Sequence, residues 1–235
     1  CIRDSPYRMY PSGDNNTKNP FFDNLYRDRR DIHHDLNANL YAIVKLPFGF
    51  EYQMNFTPRY HWYEYMNHES AEHPEWAGDG GRSERKNEKT FNWQVDNILR
   101  WKKEFGEDHR VEATFLQNAE KGQWWKTVAQ NKLYSPSDIL GFHNIGAGTA
   151  PSVSSEDTYK TGDALMGRLF YSFKDKYMLT ASVRRDGYSA FGSMNPHAVF
   201  PAVALGWVFT SEKFMEKTSD WLNYGKLRFS WGQNG

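Results

Sequence analysis

Cysteine is all but missing from this sequence: Cys1 is the only one in 235 residues, so no disulfide forms within the chain. Long apolar runs are missing too. No stretch of about 18 apolar residues occurs, and a mean hydropathy of -0.82 with 25% charged residues excludes helices that cross a bilayer. Charge of one sign is absent, since 29 Lys and Arg balance 29 Asp and Glu. With no long basic run, nothing points to nucleic acid. Motifs of chemistry are equally scarce. Gly146-Ala-Gly148 lacks the preceding strand and the third glycine of a dinucleotide fingerprint. Ser135, Ser137, Asp138 and His143 fall close together, but no nucleophile-elbow sequence frames the serines, so no catalytic residue is assigned. His33, His34, His61, His68 and His73 show no tight His/Cys/carboxylate spacing, and no metal site or cofactor is expected.

What the chain has is aromatic residues, 17% of the total with nine Trp and fourteen Tyr, and a period of two. From Leu36 to Leu46 one side carries Leu36, Ala38, Leu40, Ala42, Val44 and Leu46. The other carries Asn37, Asn39, Tyr41, Ile43 and Lys45. Next, Phe50, Tyr52, Met54, Phe56, Tyr60 and Trp62 oppose Glu51, Gln53, Asn55, Thr57, Arg59 and His61, with Pro58 predicting a bulge or an edge. The scheme repeats from Phe91 to Trp101, Arg110 to Phe115, Leu165 to Phe173, Tyr177 to Arg184, Pro201 to Phe209 and Lys226 to Trp231. A helix would scatter these residues around its circumference; about eight half-apolar strands keep them on one face.

Connections separate a barrel from a soluble sandwich. Tight turns at residues 46–49, 105–108 and 173–176 alternate with long polar segments at about 66–89, 128–160 and 187–198, the short/long rule of outer-membrane barrels. The segment from Thr210 to Tyr224 breaks that rule, and residues 212–222 are read as a short helix. Half-apolar strands with aromatic girdles then span lipid with charges on the lumen side. A soluble carbohydrate-binding or adhesive β-protein stays open; it requires the Leu36 to Leu46 stripe to be buried against a second sheet.

Lys176 to Gly192, reading KYMLTASVRRDGYSAFG, followed by FPAVALGW from Phe200 to Trp207, closely resembles the SusC/RagA group of TonB-dependent outer-membrane transporters. The likeness extends through LMGRLFYSFKDK from Leu165 and WLNYGKLRFSWG from Trp221, so it covers about residues 160–235. Upstream, FNWQVDNIL from Phe91 and FGEDH from Phe105 are similar in pattern. Tyr188 and Ala190 depart from it, standing where the group usually has Ser and Arg. The resemblance implies an all-β fold: a partial transmembrane antiparallel β-barrel, about eight strands of a larger plugged barrel. All 235 residues are expected to belong to a single barrel domain, with signal peptide, plug and TonB-binding motif outside the sequence and Cys1 within or beside an external loop. It further implies import of oligosaccharides or peptides across the bacterial outer membrane with a SusD-like surface lipoprotein and the TonB complex, without covalent chemistry. A siderophore or cobalamin receptor would share barrel and plug.

Two groups of residues are candidates for a site. Trp76, Trp124 and Trp125, read as external-loop aromatics, are suited to stacking on sugar rings, although Trp124 and Trp125 are equally placed for an aromatic girdle. Arg184, Arg185 and Asp186 form a charge cluster at the external end of a strand. Arg184 is expected to point to the lumen, Arg185 to the rim, and Asp186 to pair with an arginine on a neighbouring strand, either anchoring loops or contacting ligand.

Overall fold

The computed structural model describes residues 19–73, 75–135, 137–191, 196–218 and 221–233; Cys1 lies outside them. After a short helix, α1 (Pro20–Tyr26), whose start is capped by the Asn19 side chain accepting the Phe21 N–H, the chain is strand almost throughout. The strands are β1 (Arg27–Asn37), β2 (Leu40–Lys45), β3 (Phe50–Glu69), β4 (Arg82–Phe105), β5 (His109–Lys132), β6 (Ser152–Phe173), β7 (Tyr177–Tyr188), β8 (His197–Trp207) and β9 (Leu227–Gly232). They form one nine-stranded sheet in the order β1-β3-β4-β5-β6-β7-β8-β9, with β2 also pairing β3, and the order does not close on itself. The strands divide between two compact units. One comprises Cys1–Leu36, Arg59–Phe91 and Gln123–Thr158; the other comprises Asn37–Pro58, Asn92–Gly122 and Tyr159–Gly235.

Three expectations are corrected. The strand foreseen from Leu36 to Leu46 is two, β1 and β2, broken at residues 38–39. The Ala38 N–H donates to the Pro58 carbonyl at 3.1 Å, but Pro58 has no N–H to return the bond, so the ladder lapses on the partner strand. The strands are also longer than their apolar stretches: β4 begins at Arg82, β5 runs to Lys132 and β6 begins at Ser152. The long connections therefore shrink to residues 70–81 and 133–151. Finally, the expected helix after Thr210 is a pair of 3-10 turns, Phe209–Ser211 and Lys213–Thr218. The tight turns stand as expected. Between β2 and β3, Phe48 and Gly49 both have positive φ, 63° and 84°, and a side chain on Gly49 would strike the Lys102 carbonyl.

In the second unit the register of β6 to β9 sorts the side chains into two faces. One face stacks Phe173, Tyr177, Trp207 and Leu227, then Tyr171, Leu179, Leu205 and Phe229, then Leu169, Ala181, Val203 and Trp231, then Gly167, Val183 and Pro201. The opposite face carries Ser172, Met178, Gly206 and Arg228, then Phe170, Thr180, Ala204 and Ser230, then Arg168, Ser182 and Ala202. The first face is apolar and uncovered. Leu205 is 51% exposed and Phe229 66%. Among the described residues the only buried apolar side chains are Phe22, Phe142, Ala164 and Val208, so this sheet packs on no second layer. The Leu36 to Leu46 stripe is open as well, with Leu40 at 59%, which is the opposite of what a soluble sandwich requires. A broad exposed apolar surface marks a contact with something apolar.

Midway along the apolar side one set of polar side chains is paired within it. The Tyr52 hydroxyl donates to Asn97, whose amide donates to Gln117 at 2.7 Å. Against apolar surroundings they have no other partner, and an unpaired polar group there costs several kcal/mol, on the order of 4–8. Across the sheet, the opposite side holds an open polar network: Arg100 donates to Gln53 at 2.7 Å and to Glu51 at 3.2 Å, and Asn118 to Asp96 at 2.6 Å.

Candidate functional site

The charge cluster on β7 is built by strand alternation around one glycine. Arg184 and Asp186 share the polar face, and the Arg184 Nε donates to both carboxylate oxygens of Asp186, at 2.7 and 2.9 Å. Asp186 thus pairs with an arginine two residues away on its own strand. The expected pairing across to a neighbouring strand is not formed, because residues i and i+2 already project side by side. Arg185 falls on the apolar face at its end, where it meets Asp163 of β6 at 3.5 Å. Asp163, Gly187 and His197 are register partners across β6, β7 and β8. A side chain on Gly187 would overlap both the Asp163 carboxylate and the His197 ring, and its absence lets Asp163 and His197 approach to 3.6 Å across the middle strand. The polar side of the cluster lines a cavity of about 490 Å³ with Asn118, Glu120, Tyr188 and Phe200.

A second constellation lies in the first unit. Tyr63 donates to Asp31 at 2.8 Å, and Asp31 also takes Arg29 at 2.8 Å. Lys86 sits over the rings of Tyr63 and Tyr65, at 4.8 and 5.5 Å, and pairs with Glu88 at 3.3 Å. The Trp124 indole N–H points to Glu88 at 3.4 Å. His33 stacks on Tyr63 with ring centroids 4.5 Å apart, and His61 contacts Asp35 at 2.7 Å. The result is a half-buried aromatic surface studded with carboxylates and cations. Flat rings with adjacent acceptors are the chemistry that holds a sugar: the ring's apolar C–H face stacks and its hydroxyls donate.

The three tryptophans come to different ends. Trp124 and Trp125 belong to β5 and not to an external loop. Successive strand residues face opposite ways, so Trp124 joins the aromatic–carboxylate surface while Trp125 lines an apolar pocket with Tyr60, Trp62 and Phe91. Trp76 does lie in a connection, where it stacks on the fully buried His73 at 3.9 Å with Arg27 beyond it at 5.9 Å. Its ring packs the connection together. Around it, Glu69 is 2% exposed and bridged by Arg82 and Arg27, and the Asp138 carboxylate accepts the Ala71 N–H at 2.7 Å.

Asp138 therefore ties two connections, and Ser137 accepts the Ile139 N–H. No group of three or more His, Cys, Asp or Glu with metal-holding geometry occurs among the described residues. Asp31, Tyr63, Tyr65, Lys86 and Glu88 were not foreseen as site residues. The Asp31 and Lys86 to Glu88 stretches are polar on both faces, so hydrophobic alternation marks neither strand nor site there, and the one available signal was Tyr63 and Tyr65 continuing the aromatic run of β3 on its other face.

A single antiparallel sheet with one uncovered apolar face, a polar opposite face, and tight turns alternating with longer connections is a segment of a transmembrane β-barrel wall. The chain belongs to the family described as TonB dependent receptor-like, beta-barrel, whose model matches residues 2–235. Among curated proteins it is 29% identical over 163 residues to TonB-dependent receptor P26 of Formosa agariphila, covering 68% of this chain and 16% of that protein. It is 33% identical over 119 residues to TonB-dependent receptor SusC of Bacteroides thetaiotaomicron, covering 49% of this chain and 10% of that protein. The solved structure described as the RagAB peptide transporter superposes with a TM-score of 0.81 at 20% identity, over 92% of this chain and 24% of that one. The SusC/RagA likeness read in the sequence thus holds, and the chain spans about a sixth or less of the curated relatives it matches.

Proposed function

We propose that this chain is one continuous piece of the wall of a SusC/RagA-type transporter in the bacterial outer membrane, importing oligosaccharide through a larger barrel closed by a plug. A SusD-like lipoprotein would present the solute outside, and the TonB complex would act through the plug. The observation that carries this reading is the segregation of the β6 to β9 wall into an exposed apolar face and a polar face. One side suits lipid and the other a wet path, and large solutes crossing a membrane without local ATP need such a path normally sealed.

Oligosaccharide is favoured over peptide by the surface around Tyr63, Tyr65 and Trp124, where rings and carboxylates alternate. Trp124 is its ligand contact, while Arg184 and Asp186 present a paired charge on the lumen side. Trp76, stacked on His73, and Trp125, on the apolar side, serve structure and membrane contact in this reading. The test is uptake of fluorescent oligosaccharides and peptides by cells carrying the wild-type gene or Trp124→Ala. Saccharide uptake that falls about tenfold in the variant, at unchanged surface level, supports the reading. Peptide uptake with no saccharide uptake reassigns the substrate, and saccharide uptake unaffected by Trp124→Ala removes the residue from the site.

A further inference from the structure

The apolar pocket beside Trp125 carries a single cationic side chain, Lys89, at its polar end. Its volume is about 860 Å³, and it is lined by Tyr60, Trp62, Phe91 and Trp125 together with Asn87, Lys89 and Thr127. Along β4 the same side of the strand runs Trp101, Leu99, Asn97, Val95, Trp93 and Phe91, then turns polar at Lys89 and Asn87. From Trp101 to Phe91 is ten residues, about 33 Å of strand at about 3.3 Å each, or about 25 Å of membrane depth at the usual tilt. Lys89 therefore stands where an apolar band of ordinary height ends.

Lys89 is exposed, its ammonium lies 5.5 Å from the centre of the Trp62 ring, and among the described residues no carboxylate lies within ion-pair distance of it. Lys86, three residues earlier and on the other side of the strand, is paired with Glu88. His34 approaches the same indole at 5.9 Å, so Trp62 carries a cation and a titratable ring around it. A lone ammonium at the border of hydrocarbon, with aromatic rings below it and amide and hydroxyl groups beside it, calls for an anion that brings its own apolar tail.

We propose that this pocket binds a phosphorylated lipid of the surrounding leaflet, with the phosphate on Lys89 and an acyl chain against Trp62, Phe91 and Trp125. The inference rests on the membrane reading above. Binding of this kind would fix the angular position of lipid on the wall and would weaken as salt rises, since the ion contact is at the surface.

The experiment uses the protein purified from outer membranes in detergent, stripped of lipid and followed by native mass spectrometry. Probes are a short-chain phosphatidic acid, the phosphatidylcholine of the same chains and inorganic phosphate. Retention of phosphatidic acid over phosphatidylcholine, weakened about fivefold by Lys89→Ala and unchanged by Lys86→Ala, is the expected result. Equal retention of the two lipids, or no change in Lys89→Ala, overturns the proposal. Competition by inorganic phosphate at equal concentration overturns it as well, because the site would then take the anion without its tail. Recovery of the protein in the aqueous fraction without detergent would instead sink the membrane reading itself, and the two failures are told apart at the extraction step.

Discussion

Two regions of the sheet are written in different alphabets. Between Leu165 and Val183, large apolar and polar or small residues mostly alternate, and Leu169, Tyr171, Leu179, Ala181 and Val183 join rows that continue across β6, β7 and β8. In Arg82 to Thr90 both sides are polar, Arg-Ser-Glu-Arg-Lys-Asn-Glu-Lys-Thr, yet β4 runs through all of it. Backbone hydrogen bonding is the same in both stretches. What differs is the character of the two faces, apolar against polar for the first and polar on both for the second. A strand needs a ladder partner to persist; it needs alternation only where its two faces have different solvents.

One test concerns the glycine that permits the charged end of the alternating region. Gly187→Val sets a side chain between Asp163 and His197, which are partly exposed and must both turn out of the row, so their 3.6 Å contact is broken while the strands keep their register. Overpacking of this kind costs about 1–3 kcal/mol. The temperature at which the folded, heat-modifiable band disappears from a gel should fall. A variant that folds normally would show the row to be looser than its packing suggests.

The larger effect is the contrast between faces. Val203 lies in the middle of the apolar rows, paired with Ala181 and Trp231; Ala204, its neighbour, pairs with Thr180 and Ser230 on the polar face. Val203→Arg should destabilise the protein by about 2–4 kcal/mol in a bilayer, while Ala204→Arg stays within about 1 kcal/mol. Denaturant titration of the two variants in vesicles measures the difference. Equal effects would erase the distinction between the faces.

Most of the wall was legible for that reason, and what was missed follows from it. The strands and the tight turns came from alternation, whereas the break in the Leu36 to Leu46 stripe did not: Pro58 pointed to a bulge or an edge on its own strand, and the lapse falls on the strand opposite. The aromatic–carboxylate surface did not, because the residues that build it, from Asp31 and Tyr63 to Lys86 and Glu88, sit in stretches without a hydrophobic rhythm. Trp124 was singled out by residue type alone, so its side of the strand had to come from the structure. Asp186 was expected to pair across to a neighbouring strand and pairs with Arg184 on its own, since a sequence does not say whether a same-face arginine two residues away or one across the ladder is nearer.

A smaller, pH-dependent effect concerns the non-alternating connection after β8. Glu212 accepts bonds from the Tyr177 hydroxyl and the Trp207 indole and lies 3.8 Å from Lys176. These partners, the tyrosine first, hold its carboxyl below the ordinary value of 4.5. A carboxyl whose folded value is depressed contributes stability that is fully present above its unfolded value and is lost as pH falls through the folded one. Docking of residues 209–216 on the end of β8 should therefore be constant from pH 7 to about 5 and loosen below about 4.5. The part of the tryptophan emission change that Trp207→Phe removes reports it, and Glu212→Gln should flatten the profile. Loosening on the alkaline side would reverse the assignment.

The smallest effect returns to the turn joining β6 and β7. Lys174 and Asp175 both hold positive φ, 54° and 50°, the geometry of a two-residue hairpin that ordinarily recruits Asn or Gly. Asp175 tolerates it and accepts the Ser172 hydroxyl at 3.1 Å, with Arg110 at 3.5 Å. Lys174 gains little in return, since its pair with Asp108 at 3.5 Å is half exposed and contributes at most about 1 kcal/mol. Its backbone N–H donates to the Asp108 carbonyl, a bond that any residue keeps. Lys174→Asn removes most of the left-handed strain without the extra unfolded-state freedom of glycine, so it should raise stability by about 0.5 kcal/mol. A rise in the denaturant midpoint at constant slope is the expected reading. A fall would mean that the Lys174 to Asp108 ion pair outweighs the strain, and that this turn is held by charge across to the β4–β5 turn more than by its own backbone.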